Sequence, residues 1–161
     1  MKAKWSAAQY GSRADRESEL RSVEAMAARF AERGTTIVLR RAPEEEGSLP
    51  GGDAAVAVFP RFCRRAASHT SARLTLHADH GQGMDQDGNY VTVLVIDTPW
   101  GGIPVAALVC ERKSRACVGA GLRAWKEALG PNGFGGQTRP TYGMTDDDTA
   151  LAGALSDVLS T

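Results

Sequence analysis

Apolar residues along this chain recur with two periods, one near 3.6 residues and one of two, and the switches between them mark the elements. Leu20, Val23, Ala27 and Phe30 fall at helical spacing, with Ser18 as candidate N-cap and Gly34 as the stop. Residues 35–40 are short and β-branched, which predicts a strand. Residues 41–52 hold two prolines and three glycines and read as a loop. A second apolar strand is predicted over 54–59, and Pro60 suits the first turn of a short helix over 61–68. Strands follow at 74–78, 90–96 and 103–110. The middle one is a nearly unbroken Val/Ile/Leu/Thr run of the kind buried on both faces. The turn at 97–102 is so short that its two strands must pair antiparallel. Val118, Leu122, Trp125 and Leu129 then mark an amphipathic helix closed by Gly130 and Pro131. A short strand within 139–145 and a last helix over 147–159 complete the chain, the helix with Leu151, Leu155, Val158 and Leu159 on one face.

From residue 74 the order is β-β-β-α-β-α. Three strands meander, and a helix then crosses to a fourth strand expected beside the first and parallel to it. This order predicts an α/β fold, a partial RNase H-like core over 53–161. Before it come a disordered tail over 1–17 and a helix, strand and loop over 18–52. In such a core an acid on the first strand and another at the end of the fourth meet at one sheet edge. There they can hold divalent metal ions that activate water against a phosphodiester.

Composition narrows the picture little. The 161 residues suit one domain, and 42% apolar with 24% charged residues excludes wholesale disorder. Nineteen basic residues balance nineteen acidic ones, so no global basic field draws nucleic acid, although a local basic face is compatible with this total. Cys63, Cys110 and Cys117 are too few for a disulfide framework and contain no Cys-x-x-Cys pair, which fits a reducing intracellular compartment and argues against structural zinc. The first ten residues lack the apolar stretch of a secretory signal, and no apolar run reaches the ~20 residues that span a bilayer.

Four segments then occur in a specific order: His77-Ala78-Asp79-His80-Gly81, Tyr90 through Asp97, Gly102-Ile103-Pro104-Val105-Ala106, and Met144-Thr145-Asp146-Asp147. Together they resemble the Mutator-like transposase domain, in particular its eukaryotic branch with SWIM zinc fingers, over roughly residues 53–159. The resemblance implies an RNase H-like fold, magnesium-dependent DNA strand cleavage and transfer, DNA as partner and a nuclear location. In that family the first catalytic acid sits in an Asp-x-Thr-His-Gly motif. Aligned on His80-Gly81, the position is His77 here, so the first acid is replaced, while the second acid matches Asp146. The third, a glutamate, lies beyond further helices and has no counterpart within these residues, nor has the zinc finger. Magnesium prefers oxygen ligands, and a neutral imidazole brings no negative charge. Asp79 shares a strand face with His77 and is the candidate substitute, although some 6–7 Å further along. The expectation is a catalytically inactive relic of a metal-dependent transposase, with a domesticated DNA- or protein-binding module as the alternative, or a piece of a longer coding sequence. A partial sheet of this kind is expected to expose apolar surface and to self-associate.

Competing readings accompany the other candidates. His77, Asp79 and His80 suggest a zinc cluster, but strand alternation puts His80 opposite His77 unless the chain turns there. Asp146, Asp147 and Asp148 precede the last helix, where acids cap free N–H groups. Capping is the expectation for the latter two, and metal ancestry and capping weigh equally for Asp146. Arg61 and Arg65, four apart on the short helix, form either a phosphate contact or a solvated face. The Glu44–Glu46 run reads as a solvated loop before a docking patch. The glycine-rich loop at 130–136 follows a helix, so it is no nucleotide fingerprint. Trp125 reads as core rather than a base-stacking platform, Trp100 as the more exposed of the two, a turn residue whose usual role is to cover the sheet edge, and Cys110 and Cys117 as packing.

Overall fold

The computed structural model describes residues 16–69, 75–82 and 88–160. The expected tail therefore lies outside the described residues as far as residue 15, and so does Leu74. Helix α1, Arg16–Ala31, takes in Arg16 and Glu17, two residues before the expected cap. Strands β1, Thr35–Arg41, and β2, Ala54–Pro60, lead into the short helix α2, Arg61–Ala67. Strands β3, Thr75–Gln82, β4, Tyr90–Thr98, and β5, Gly101–Cys110, form the meander. Helix α3, Arg115–Leu129, a tight 3-10 segment over Gly130–Gly136, strand β6, Tyr142–Met144, and helix α4, Thr149–Leu159, complete the order.

The six strands make one mixed sheet in the order β1-β2-β5-β4-β3-β6. Every neighbouring pair is antiparallel except β3 and β6, which run parallel with Thr75 opposite Tyr142 and His77 opposite Met144. The sheet is continuous across residue 53: β1 joins through β2 to β5. The turn between β4 and β5 is shorter than expected. Both strands run on until only Pro99 and Trp100 connect them, and Trp100 is exposed, as expected for this turn, though at 84% it does not cover the sheet edge.

The two faces of the sheet differ. Ala55, Ala57, Phe59, Leu76, Ala78, Leu94, Ile96 and Leu108 are buried on one face, where helices α3 and α4 lie. Trp125 of α3 is fully buried and meets Phe134 edge-on, with ring centroids 5.5 Å apart. On the other face Val56, Val58, Val91, Val93, Val95 and Val109 are only half-buried. This corrects the expectation that 90–96 is buried on both sides. Among the described residues the one helix on that face is α1, and it packs on β1. The neighbours Arg40 and Arg41 point to opposite faces, as strand alternation requires. Arg40 bonds Glu127 of α3 and Arg41 bonds Glu17 of α1.

One carboxylate ties the N-terminal elements to the meander. Glu111 accepts two hydrogen bonds from the Arg16 guanidinium, at 2.7 and 2.6 Å, and a third from the Ala54 N–H at 2.6 Å. The same guanidinium reaches the carbonyls of Pro50 and Gly52. Gly52 has φ +80°, and a Cβ there would stand 2.0 Å from the Ala42 carbonyl oxygen, so only glycine fits. The three cysteines are free and buried. No described helix is long and apolar enough to cross a membrane.

Candidate functional site

The edge between β3 and β6 carries the residues singled out in the sequence. Strand alternation assigns them to faces. Leu76 and Ala78 point into the core, so His77 and Asp79 point to the open face. His77 Nε2 donates to Asp97 Oδ2 at 2.7 Å, a pair with 37% and 58% of its side chains exposed. Asp97 is the residue that sequence reasoning missed, because it was assigned to the turn. A signal was present: Val93, Val95 and Asp97 continue one alternation, and Val95 stands directly opposite His77. Asp79 faces solvent and makes no hydrogen bond or ion pair among the described residues.

His80 lies on the other face, bonded through Nδ1 to the Thr92 hydroxyl at 2.7 Å and stacked on Tyr90 at 5.4 Å. Its Nε2 is buried with no partner among the described residues. Burial pushes the His80 imidazole below its usual range and outweighs the opposing pull of Asp148 and Asp146, so the neutral ring is favoured. Because β3 runs without a break through Gln82, His77 and His80 stay on opposite faces and the cluster of His77, Asp79 and His80 does not form. No group of three or more His, Cys, Asp or Glu side chains among the described residues could hold a metal ion.

Asp146 follows β6 by two residues. Its Oδ1 accepts from the Asp148 N–H at 3.3 Å and from the Thr145 hydroxyl at 3.2 Å, which turns the carboxylate onto its own loop. Extending the parallel register by two residues puts Asp79, rather than His77, level with Asp146. Asp148, and not Asp147, caps helix α4: its Oδ1 accepts from the Ala150 and Leu151 N–H groups at 3.0 Å each. Its other oxygen takes Lys113 Nζ at 2.6 Å, and the side chain is 6% exposed. Burial drives the Asp148 carboxyl upward, but the Lys113 ammonium and the two helix N–H groups prevail and hold it below its usual value. The far end of α4 is capped as well, by Lys126 Nζ on the Val158 carbonyl and Arg139 Nη1 on that of Leu159.

Thus the edge brings together two exposed acids, an imidazole already paired, and a capped helix start. The chemistry this arrangement offers is weak cation attraction without a preorganised ligand set. No family model matches the chain, and no curated protein or solved structure does either.

Proposed function

We propose that this chain is an RNase H-like domain of Mutator-like transposase descent that no longer cleaves DNA and acts as a non-catalytic module binding DNA or a protein partner. The fold reading draws support from the strand order β5-β4-β3-β6 with β3 and β6 parallel, the arrangement that juxtaposes first-strand and fourth-strand acids. The proposed loss of catalysis draws support from His77: by the resemblance it stands where the first acid would be, and its ring, opposite Met144 in register, is bonded to Asp97. The residues here do not fit a magnesium pair. The ion wants several oxygen ligands in octahedral geometry, and Asp146 spends its Oδ1 on its own loop. Nuclear location would follow from the same descent.

The test is conversion of supercoiled plasmid in Mg²⁺ or Mn²⁺. We expect no nicking above buffer, and metal-dependent cleavage abolished by Asp146→Ala would overturn the assignment. A second reading has a specific basis, since the register, continued two residues past its last pair of His77 and Met144, would bring Asp79 level with Asp146. If the two hold one cation, Mn²⁺ will raise the melting temperature and Asp79→Asn will remove that rise; the leading reading expects no rise. Gel shifts across a salt series separate the partners. Affinity with a steep salt slope supports DNA, and no shift at low salt removes DNA and leaves protein contact or no binding function.

A further inference from the structure

At the opposite edge of the sheet, the end of α1, the start of β1 and helix α2 enclose an open cleft of about 860 Å³. Arg61, Arg64 and Arg65 line it, against the single carboxylate of Glu32. Thr35, Thr36 and Ser68 add hydroxyls, and Ile37 and Leu129 an apolar floor.

The three arginines are not equivalent. Arg64 donates to the Ala128 carbonyl at 2.8 Å, which fixes α2 against the end of α3. Arg61 and Arg65 are exposed, and their guanidiniums make no hydrogen bond or ion pair among the described residues. Arg16, Arg40, Arg41, Arg112, Arg115 and Arg139 are each bonded to a carboxylate or a carbonyl, whereas Arg61 and Arg65 share a concave wall with their guanidiniums unengaged. Like charges four apart on a helix repel, so the bare pair costs the fold some stability that an anion would return. The position of Arg61 is also built. Gly34, at φ +77°, lets the Arg61 stem lie against the backbone, and a Cβ there would come 3.3 Å from Arg61 Cβ. A solvated helix face needs none of these features: concavity, hydroxyls and a seated stem.

We infer that this cleft is a phosphate-binding site for a ligand carrying two or more phosphate groups. The guanidinium fork matches phosphate oxygens two at a time. Two neighbouring forks, with Cβ atoms about 5–6 Å apart, suit adjacent phosphates better than one isolated anion. The volume is that of a small-ligand pocket, about 300–1,000 Å³, and its open side admits a chain. Such phosphates come from a nucleic-acid strand or from a free nucleoside triphosphate or polyphosphate. Phe62, 61% exposed on the same helix, lies outside the cleft lining, where a strand long enough to run past the cleft would find a stacking surface for a base. The cleft is independent of the β3–β6 edge. Strands β1 and β3 lie four sheet positions apart, roughly 19 Å, so cleavage there and binding here fail or succeed separately.

The experiment uses the full chain at low salt with three probes: a labelled single-stranded oligonucleotide, inorganic tripolyphosphate and ATP. The variants are Arg61→Gln with Arg65→Gln, and Arg21→Gln with Arg123→Gln, both outside the cleft, as a charge-matched control. We expect the double variant to bind at least about tenfold more weakly, as loss of charge-assisted hydrogen bonds dictates, while the control binds as the parent does. For the oligonucleotide the slope of log affinity against log salt should fall by about 1.4, two contacts at ~0.7 each. Oligonucleotide binding without tripolyphosphate or ATP binding, weakened by Phe62→Ala, assigns the ligand as a strand. Binding of all three probes assigns free phosphate groups as sufficient. If no probe binds, or the double variant binds as the parent does, the inference is overturned. Thermal melts check the fold, and Arg65→Gln alone is read in place of the double variant should that one melt early.

Discussion

Replacing Asp148 separates two effects that one carboxylate combines. Asp148→Ala removes the acceptor for the Ala150 and Leu151 N–H groups and also the partner of Lys113. The cap is worth about 1–2 kcal/mol. The Lys113 side chain is 45% exposed, so its ion pair adds only a surface contribution of about 0–1 kcal/mol. Asp148→Asn keeps an oxygen in the same place, and asparagine caps about as well as aspartate. Alanine removes both and should therefore lower stability by about 1–3 kcal/mol, which in a chain of this size is a fall of roughly 2–12 °C in melting temperature. Asparagine should cost less than about 1 kcal/mol. The pH dependence follows from the direction of the shift. The Asp148 carboxyl is held below its usual 3.8, so its charge stabilises the fold in full above that pH. The contribution is lost as the pH falls through the lower folded value. The gap between parent and asparagine variant should close in acid, and the gap between asparagine and alanine should persist. Calorimetry at neutral and acid pH reads both. If asparagine is as damaging as alanine at neutral pH, the charge and not the cap holds this helix start, and the reasoning is wrong.

Two further predictions concern the backbone and the site. Gly52→Ala should cost about 2–5 kcal/mol, from left-handed strain plus a clash with an immobile carbonyl. Gly88→Ala has a similar φ of +76° but nothing within 4 Å of the added Cβ, so it carries the strain alone. Urea midpoints compare the two, and equal losses would refute the clash. His77→Ala should cost less than about 1 kcal/mol, since the His77–Asp97 hydrogen bond joins two side chains open to solvent. A larger loss by chemical denaturation would mean that the pair holds the sheet edge together.

Local periodicity carried most of the architecture. Strands β1, β2, β4 and β5 rest on β-branched or apolar runs, and the parallel pairing of β3 with β6 follows from a meander and one crossover helix. What stayed hidden depended on register across the sheet. Nothing local states that Val95 stands opposite His77, and the Asp97 partnership needs that fact together with a two-residue turn. Likewise, the identical spacing of Arg61 and Arg65 on paper suits a solvated face or a cleft wall. Only the return of α1 and β1 alongside α2 makes the space concave. Asp147 and Asp148 look interchangeable as caps in sequence, and helix geometry assigns the cap to the second.

The three-way grip of Glu111 has a consequence for the order in which the chain assembles. Its carboxylate sits at the end of β5, 57 residues from the Ala54 N–H and 95 from Arg16. Contacts that far apart in sequence form late, because the intervening loops must close first. The seat for Arg16 exists only once β2 has zipped onto β5 and the Pro50 and Gly52 carbonyls have turned inward. Helix α1 has Leu20 as its one buried residue, so it has little else to hold it before that moment. It should therefore be the last element to dock and the first to detach, opening in native-state hydrogen exchange at a free energy below that of the sheet.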